Sequence, residues 1–457
     1  MLTYKKNKNV FDVLEKTLEV THLQNYIPIY KRFFNINKTN WNSINLDHPP
    51  LTNVTIKDTI YSEETPLFFK FSPLLDPLRY ITGHCDDYDF SLPTYTSPPS
   101  KLSDANNSAY VDSFFSFLSS ELYRKQGFIN GLNFFGSYLG IKKDFVYNLE
   151  DEVDHIQSCA YFHKNRNVLF RLNKDVTFSQ SRTNKNVLTL SDEPIDLEID
   201  SLEDTSSEST GSDTDYGLKV IINQFPVQVI ALEKYEDTLD SLLDDMTSDE
   251  LTAALMQVIM TLLAYQKMFK FTHNDLHTNN IMYSATDEPY LYYCYKGVHY
   301  KVPTYGKVFR IIDYGRAIYT FQNRRFVSDS FSEDGDAFTQ YNLEPFFDCS
   351  EPLVLPHYSF DLCRLACSIL ESIPSTDGIY KIIEEWCKDD MGESVIYTKQ
   401  GLERYPDFEL YRMIVRTVHN HTPEAQLSRP EFSTFRCEPI KCMNIDAFTL
   451  QPSDSRI

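Results

Sequence analysis

Two short segments constrain this 457-residue chain more than any other feature: Phe271-Thr-His-Asn-Asp-Leu-His-Thr-Asn-Asn280 and, further on, Phe309-Arg-Ile-Ile-Asp-Tyr-Gly315. The first is polar and has the spacing H-x-D-L-x-x-x-N. The second is an apolar, strand-like run that ends on Asp-Tyr-Gly. Upstream, Thr247-Ser-Asp-Glu250 has the spacing of a capping box, in which hydroxyl and carboxylate satisfy each other's backbone donors. The helix it opens carries an apolar stripe at Leu251, Leu255, Val258, Ile259, Leu262 and Leu263. Alone, Asp275 reads as a turn residue and Asp313 as a strand-end cap. In the order capped helix, polar loop, apolar strand and Asp, the two are tied to each other.

Phosphoryl transfer needs parts in that order. One carboxylate orients the attacking hydroxyl and takes its proton, and an amide oxygen five residues on reaches a metal. A second carboxylate, on a neighbouring strand, holds the metal that bridges the phosphates. Asp275, Asn280 and Asp313 fill these places. The pattern resembles the catalytic loop and Asp-Phe-Gly metal site of the protein-kinase fold, with His273 opening the loop. His357-Tyr-Ser-Phe-Asp361 opens a later apolar helix and resembles the family's helix whose Asp holds the catalytic-loop backbone.

The resemblance extends upstream with looser motifs. Leu67-Phe-Phe-Lys70-Phe resembles the strand that carries the phosphate-binding lysine. Residues 109–125 have helical spacing at Tyr110, Phe114, Phe117, Leu118 and Leu122. They resemble the helix that supplies a carboxylate to that lysine, from Asp112 or Glu121. Glu233-Lys-Tyr235 ends a β-branched run and resembles the hinge that meets adenine. The glycine-rich loop expected before the lysine is missing, since the first glycine is Gly83. A rival placement makes Gly127, Gly131, Gly136 and Gly140 the loop and Lys142 or Lys143 the lysine.

Two substitutions and an insertion set this chain apart from the family pattern. Asn274 stands where an Arg usually precedes the catalytic Asp, and it cannot pair bidentately with a phosphate. Any phosphate added between residues 316 and 360 would need another cation, such as Arg324 or Arg325, so the resemblance implies activity without such a phosphate. His277 replaces the usual Lys; it either hydrogen-bonds the γ-phosphate or acceptor, or steadies the loop. Residues 290–305, between the two motifs, read as an inserted hairpin with alternating tyrosines.

Composition bounds the rest. Asp plus Glu number 65 against 43 Lys plus Arg, a net charge of −22 that repels nucleic-acid backbones. Ten of the acids fall in residues 191–216, which hold no Lys or Arg and too little apolar surface to order themselves. Nine cysteines without a CxxC spacing read as free thiols of a reducing compartment, not a zinc site. No stretch suits a secretory signal or a bilayer span, so the expected setting is cytoplasmic, with neither a membrane nor a nucleic-acid partner.

The expected fold is α+β and bilobal. It comprises a helical extension (residues 1–47), a β-rich lobe (48–235) interrupted by the acidic segment, and a helical lobe with a tail (236–457). Short strands are expected over 128–148 and at 218–222 and 227–232, and a loop over 77–107. The chain as a whole is similar to the kinase-like proteins of giant double-stranded DNA viruses of amoebae. Lys70-Phe-Ser-Pro-Leu-Leu-Asp-Pro-Leu78, Tyr110-Val-Asp-Ser-Phe-Phe115, His273 to Asn280 and Ser359-Phe-Asp-Leu-Cys-Arg-Leu365 carry that similarity. It implies ATP with Mg²⁺ and transfer to a serine or threonine of a protein, in the host cytoplasm if the protein is viral. A kinase-like binding scaffold and a small-molecule phosphotransferase are the alternatives.

Overall fold

A computed structural model describes residues 11–46, 48, 51, 54–56, 60–62, 65–85, 90–149, 156–174, 176–177, 189–190, 217–376 and 378–450. The acidic segment 191–216 lies outside them. The architecture is mixed α/β around a curled antiparallel sheet.

Two fifteen-residue strands form the spine of that sheet: β5 (Phe134–Asn148) and β7 (Lys219–Glu233). Their register runs from Phe134↔Leu232 to Asn148↔Lys219. The other strands are β1 (Val20–Gln24), β2 (Val54–Ile56), β3 (Ile60–Ser62), β4 (Thr65–Pro73) and β6 (Phe170–Leu172). The order is β1-β5-β7-β4-β3-β2, with β6 also paired to β7. The sequence divided β7 at Asn223 to Pro226, because proline has no donor for a ladder. Pro226 nevertheless sits opposite Ile141, and its carbonyl accepts from Leu74 N–H at 3.0 Å.

The described residues of segment 1–47 depart from a helical extension. Among them only α1 (Phe11–Thr17) is an α-helix; Val20–Gln24 adds a strand to the edge of β5, and Pro28–Arg32 is a 3₁₀ turn. Gly140 explains why the edge is open to β1. A Cβ there would stand 2.3 Å from Val20 Cγ1, so a larger residue would collide with the side chain that β1 lays against β5. The 77–107 region also holds more than a loop: α2 (Pro77–Ile81) starts on an Asp76 cap with proline in its first turn, a favoured arrangement.

Helix α3 (Ser108–Gln126) is buried continuously from Ala109 to Leu122 and ends at Gly127 in the left-handed conformation. α4 (Ala160–Asn165) is short. α5 (Ser248–Phe269) begins at the expected capping box, with Thr247 and Glu250 bonded reciprocally, and is the most buried helix of the second half. Around it stand β8 (Asp237–Thr238), β9 (Ile281–Ala285), the hairpin β10 (Tyr290–Tyr295) and β11 (Val298–Pro303), and β12 (Lys307–Ile311). A further hairpin, β13 (Ile318–Phe321) and β14 (Arg324–Val327), follows the Asp-Tyr-Gly turn. Then come α6 (Phe360–Ile369), α7 (Tyr380–Trp386) and α8 (Glu409–Thr417). No helix among the described residues is long and apolar enough to cross a membrane.

The two halves are tied by Asn130, fully buried just past α3. Its amide donates to Gln257 Oε1 (3.1 Å) and to the Phe309 carbonyl (2.9 Å), and its oxygen accepts from the Tyr293 hydroxyl (2.8 Å). A buried amide with both ends satisfied fixes one arrangement of its neighbours.

Candidate active site

Four elements assemble the site. β9 and β12 pair with Ile281 opposite Ile311. Asn280 is the residue before β9 and Asp313 lies just past β12, so the register alone brings them side by side. Ile312 N–H donates to the Asn280 carbonyl at 3.0 Å. Asn280 Nδ2 donates to the Asp275 carbonyl (2.9 Å), which folds the five-residue loop back on itself.

β4 delivers Lys70 and α3 delivers Asp112 from the other side. Lys70 Nζ is 2.9 Å from Asp112 Oδ2 and 3.0 Å from Asp313 Oδ1. Asp112 Oδ1 also accepts from Tyr314 N–H at 2.9 Å, which ties α3 to the Asp-Tyr-Gly turn. Of the two carboxylates open at the sequence level, the structure brings Asp112 to the lysine. Glu121 is buried on the same helix and pairs with Lys125. Lys142 and Lys143 stand elsewhere: Lys142 lies 3.9 Å from Glu19 and over the Phe71 ring, and Lys143 lies 3.7 Å from Asp144.

The charges within this cluster divide unequally. Burial lowers the Lys70 pKa, but Asp112 and Asp313 more than offset it, and the ammonium is held well above its ordinary range. Burial pushes Asp112 up, against the pull of Lys70. Burial also acts on Asp313, yet Lys70 and the loop donors bring it down to about 2. The side chain of Asp112 is 4% exposed and that of Asp313 is 32%, so the better-solvated partner keeps its charge.

The loop itself hangs on Asp361 at the start of α6. Its two oxygens accept from His273 N–H and Asn274 N–H, each at 2.9 Å. His273 Nε2 bonds the Ile312 carbonyl at 2.8 Å and its Nδ1 accepts from Asp275 N–H at 3.3 Å. The ring is completely buried, so His273 acts as a positioning residue between the loop and the strand that ends at Asp313. Asn274 has a left-handed backbone (φ 67°), which asparagine tolerates better than most residues. Its amide donates to the Arg316 carbonyl (2.8 Å) and its oxygen accepts from the Tyr341 hydroxyl (2.7 Å). A neutral side chain thus holds the segment beyond Asp313.

His277 bonds within its own loop. Its Nε2 accepts from Asn280 Nδ2 at 3.0 Å, which leaves the ring proton on Nδ1. Burial lowers its pKa, so the ring is neutral at pH 7. Glu233 and Tyr235 use their side chains internally: Asn133 Nδ2 donates to Glu233 Oε2 (3.0 Å) and Asn133 N–H to the Tyr235 hydroxyl (3.2 Å).

Three residues at the site escaped the sequence. Tyr411, on α8, donates its hydroxyl to Asp275 Oδ1 at 2.6 Å and accepts from Arg364 Nε at 2.9 Å. Arg316 approaches Asp275 Oδ2 at 3.2 Å and also pairs with Asp336 at 2.6 Å. Burial would raise the Asp275 pKa, but Arg316 and its neighbours depress it, so Asp275 is an anion at pH 7. Arg316 follows the Asp-Tyr-Gly turn directly, and that position is the local signal that could have marked it. Tyr411 carried no local signal.

Asn280 and Asp313 offer an amide and a carboxylate oxygen. Such hard donors suit Mg²⁺, which keeps few protein ligands and shares the rest of its shell with phosphate and water. Lys70 lies within hydrogen-bond reach of the same carboxylate. The donor set therefore fits a metal–polyphosphate. No family model matches the chain, and no curated protein shows significant similarity to it.

Proposed function

We propose that the protein is an ATP- and Mg²⁺-dependent phosphotransferase that acts on a serine or threonine hydroxyl of a protein. The observation that carries this reading is the bridge Asp112–Lys70–Asp313, assembled from a strand, a helix and a loop distant in sequence. The strand order β2-β3-β4-β7-β5 supports it, being similar to a protein-kinase N-terminal lobe in which the lysine strand lies beside the hinge strand. Asp361 and its two loop amides support it on the other side. In this reading Lys70 holds the α/β-phosphates, Asn280 and Asp313 hold the metal, and the bound metal offsets phosphate charge. Asp275 accepts the proton of the attacking hydroxyl. The backbone after Glu233 faces the adenine, with the Glu233 and Tyr235 side chains fixing that segment from behind. The β2–β3 hairpin precedes Lys70 in place of a glycine-rich loop.

A second reading has one observation in its favour. Asp275 is already engaged by Tyr411 and Arg316, as in a nucleotide-binding scaffold whose acceptor position is closed. One experiment separates the two. Purified protein is incubated with labelled ATP, Mg²⁺ and a peptide array, beside Lys70→Met and Asp313→Asn. The phosphotransferase reading expects incorporation that falls at least about a hundredfold in either variant, as loss of transition-state charge stabilisation does. It also expects Mg·ATP to raise the melting temperature of the native protein but not of Asp313→Asn. Nucleotide stabilisation without transfer favours the scaffold. Transfer that survives Lys70→Met overturns the site.

A further inference from the structure

The β10–β11 hairpin, away from Asp275 and Lys70, carries a row of sulfur and nitrogen side chains. Cys294 on β10 is paired with His299 on β11, and His299 is paired in turn with Cys437 in the short strand Arg436–Cys437. Residues directly opposite one another share a face of the sheet, with Cβ atoms about 4.5–5.5 Å apart. The other face of the hairpin carries Tyr293 and Tyr300, also paired and both buried in the core. Arg436–Cys437 lies along the β11 edge and Met443–Asn444 along the β10 edge, so residues 438–442 cross from one edge to the other. They cross over the row. Cys442 Sγ lies 3.6 Å from His299 Nδ1 and is in hydrogen-bond contact with the Cys294 thiol. Ile440 N–H is directed at the same ring nitrogen at 3.4 Å, so Nδ1 presents its lone pair to the crossing segment.

The absence of a CxxC spacing concealed this grouping. The two pairs are Cys294-x₄-His299, across the hairpin turn, and Cys437-x₄-Cys442, across the connecting loop. Both lie at the upper end of the spacing common in structural zinc sites, about two to four residues. Sulfur at about 2.3 Å and nitrogen at about 2.0–2.1 Å from one tetrahedral zinc stand about 3.5 Å apart, close to the Cys442–His299 separation. A thiol donating to imidazole spans the same distance, so the convergence of four ligand types carries the argument. Burial and nearby Cys437 hold the Cys442 thiol above its ordinary range, against the pull of Cys294, which places all three sulfurs within one another's influence. Among the described residues no three such side chains already stand as a finished metal-holding group. Cys294 Sγ instead donates to Asp446 Oδ2 at 3.7 Å. A cysteine is re-aimed by turning about its single Cα–Cβ bond, and metal takes the place of the thiol proton.

We propose that Cys294, His299, Cys437 and Cys442 form a structural zinc site that fastens residues 437–442 across the outer face of the β10–β11 hairpin. Three thiolates and one neutral imidazole are a soft set that selects zinc, whereas Mg²⁺ takes oxygen ligands. Zn²⁺ displaces three thiol protons to solvent on binding. With four protein ligands no coordination position remains open, so the ion holds structure and performs no reaction. The site ties strands that are far apart in sequence, where two-residue ladders alone pair the later segment to the hairpin.

The test uses the full chain, expressed with zinc and purified under reducing conditions without chelator, with its metal read by atomic emission. The native protein should carry about one zinc per chain, and Cys437→Ser and Cys442→Ser should each keep less than about a tenth of it. Cys349→Ser, which removes an exposed thiol elsewhere in the chain, should keep it all. Stripping the metal with a chelator should lower the melting temperature of the native protein and leave that of Cys442→Ser unchanged. Cobalt titration of the stripped native protein reads the ligands directly, and carries the test alone where the serine variants fail to fold. Visible bands of tetrahedral cobalt with an ultraviolet sulfur-to-cobalt band support the site. Native protein without zinc and without that sulfur band overturns it. Full zinc content in both serine variants, or a disulfide between Cys437 and Cys442 in the protein as purified, overturns it as well.

Discussion

The Lys70 cluster and the anchor of the His273–Asn280 loop are held by different physics. Lys70, Asp112 and Asp313 are held by charge: one ammonium is shared by two carboxylates that compete for it. Asp361, His273, Asn274 and Tyr341 are held by short directional hydrogen bonds, most of them to backbone, with no cation among them. A charged cluster can change partners when a polyphosphate or proton arrives. A set of buried hydrogen bonds cannot, because each lost bond leaves a desolvated donor behind. The adaptable electrostatics therefore sit between β4, α3 and the Asp-Tyr-Gly turn, and the rigid bonding sits where the loop must keep its shape.

Three experiments press on that contrast. The largest effect belongs to Asp361→Ala. It leaves two buried loop amides without acceptors, so unfolding free energy should fall by about 3 kcal/mol, measured by urea titration. A loss well under 1 kcal/mol would mean that the loop is held by packing instead.

The second concerns acid. Against the cost of burial, Lys70 holds the Asp313 carboxylate down at about 2, below the ordinary value of roughly 3.9. Its contribution is fully present above the ordinary value and is lost as pH falls through that window towards 2. Asp112 is shifted the other way, so its burial weighs against the fold while it is ionised and is relieved as pH falls. Asp313→Asn should therefore flatten the decline of stability between pH 4 and 2. An unchanged slope would show that Asp313 gains nothing from Lys70.

The smallest effect is expected from Tyr341→Phe. It removes one neutral bond to Asn274 and should cost about 1 kcal/mol, leaving the acid slope unaltered. A change in that slope would couple the two regions and break the distinction between them.

The difference between the regions also governs what could be read in advance. Asp275, Asn280 and Asp313 were legible because a loop and one strand pair place them together within a short span of chain. Asp361 was legible because an Asp at the start of a buried helix is a local pattern. Choosing between Asp112 and Glu121 was beyond periodicity. They are nine residues apart, two and a half turns, and so face opposite sides of a helix. Both sides of α3 are buried, so neither is marked as outer. Tyr411 could not be found at all, since its bond to Asp275 spans 136 residues of sequence. The same limit misread the N-terminal strand: Val20–Gln24 pairs with β5 through space opened by a glycine far along the chain.

The β10–β11 hairpin is completed from afar. Arg436–Cys437 pairs with β11, Met443–Asn444 lies parallel to β10, and Asp446 accepts from Lys296 N–H (2.8 Å) and Gly297 N–H (2.9 Å) at the hairpin turn. Lys267, near the end of α5, donates to the Ile445 carbonyl at 2.6 Å. On a ribosome the loop from His273 to Asn280 is made long before residue 446 leaves the exit tunnel. Until then both edges of the hairpin beside α5 stay open, with Tyr293 and Tyr300 lacking part of their cover. The nascent chain thus carries its polar His273–Asn280 loop early and the clasp for the neighbouring hairpin late. The exposed strand edges in that interval are where a holding chaperone, or a second nascent copy, would find it.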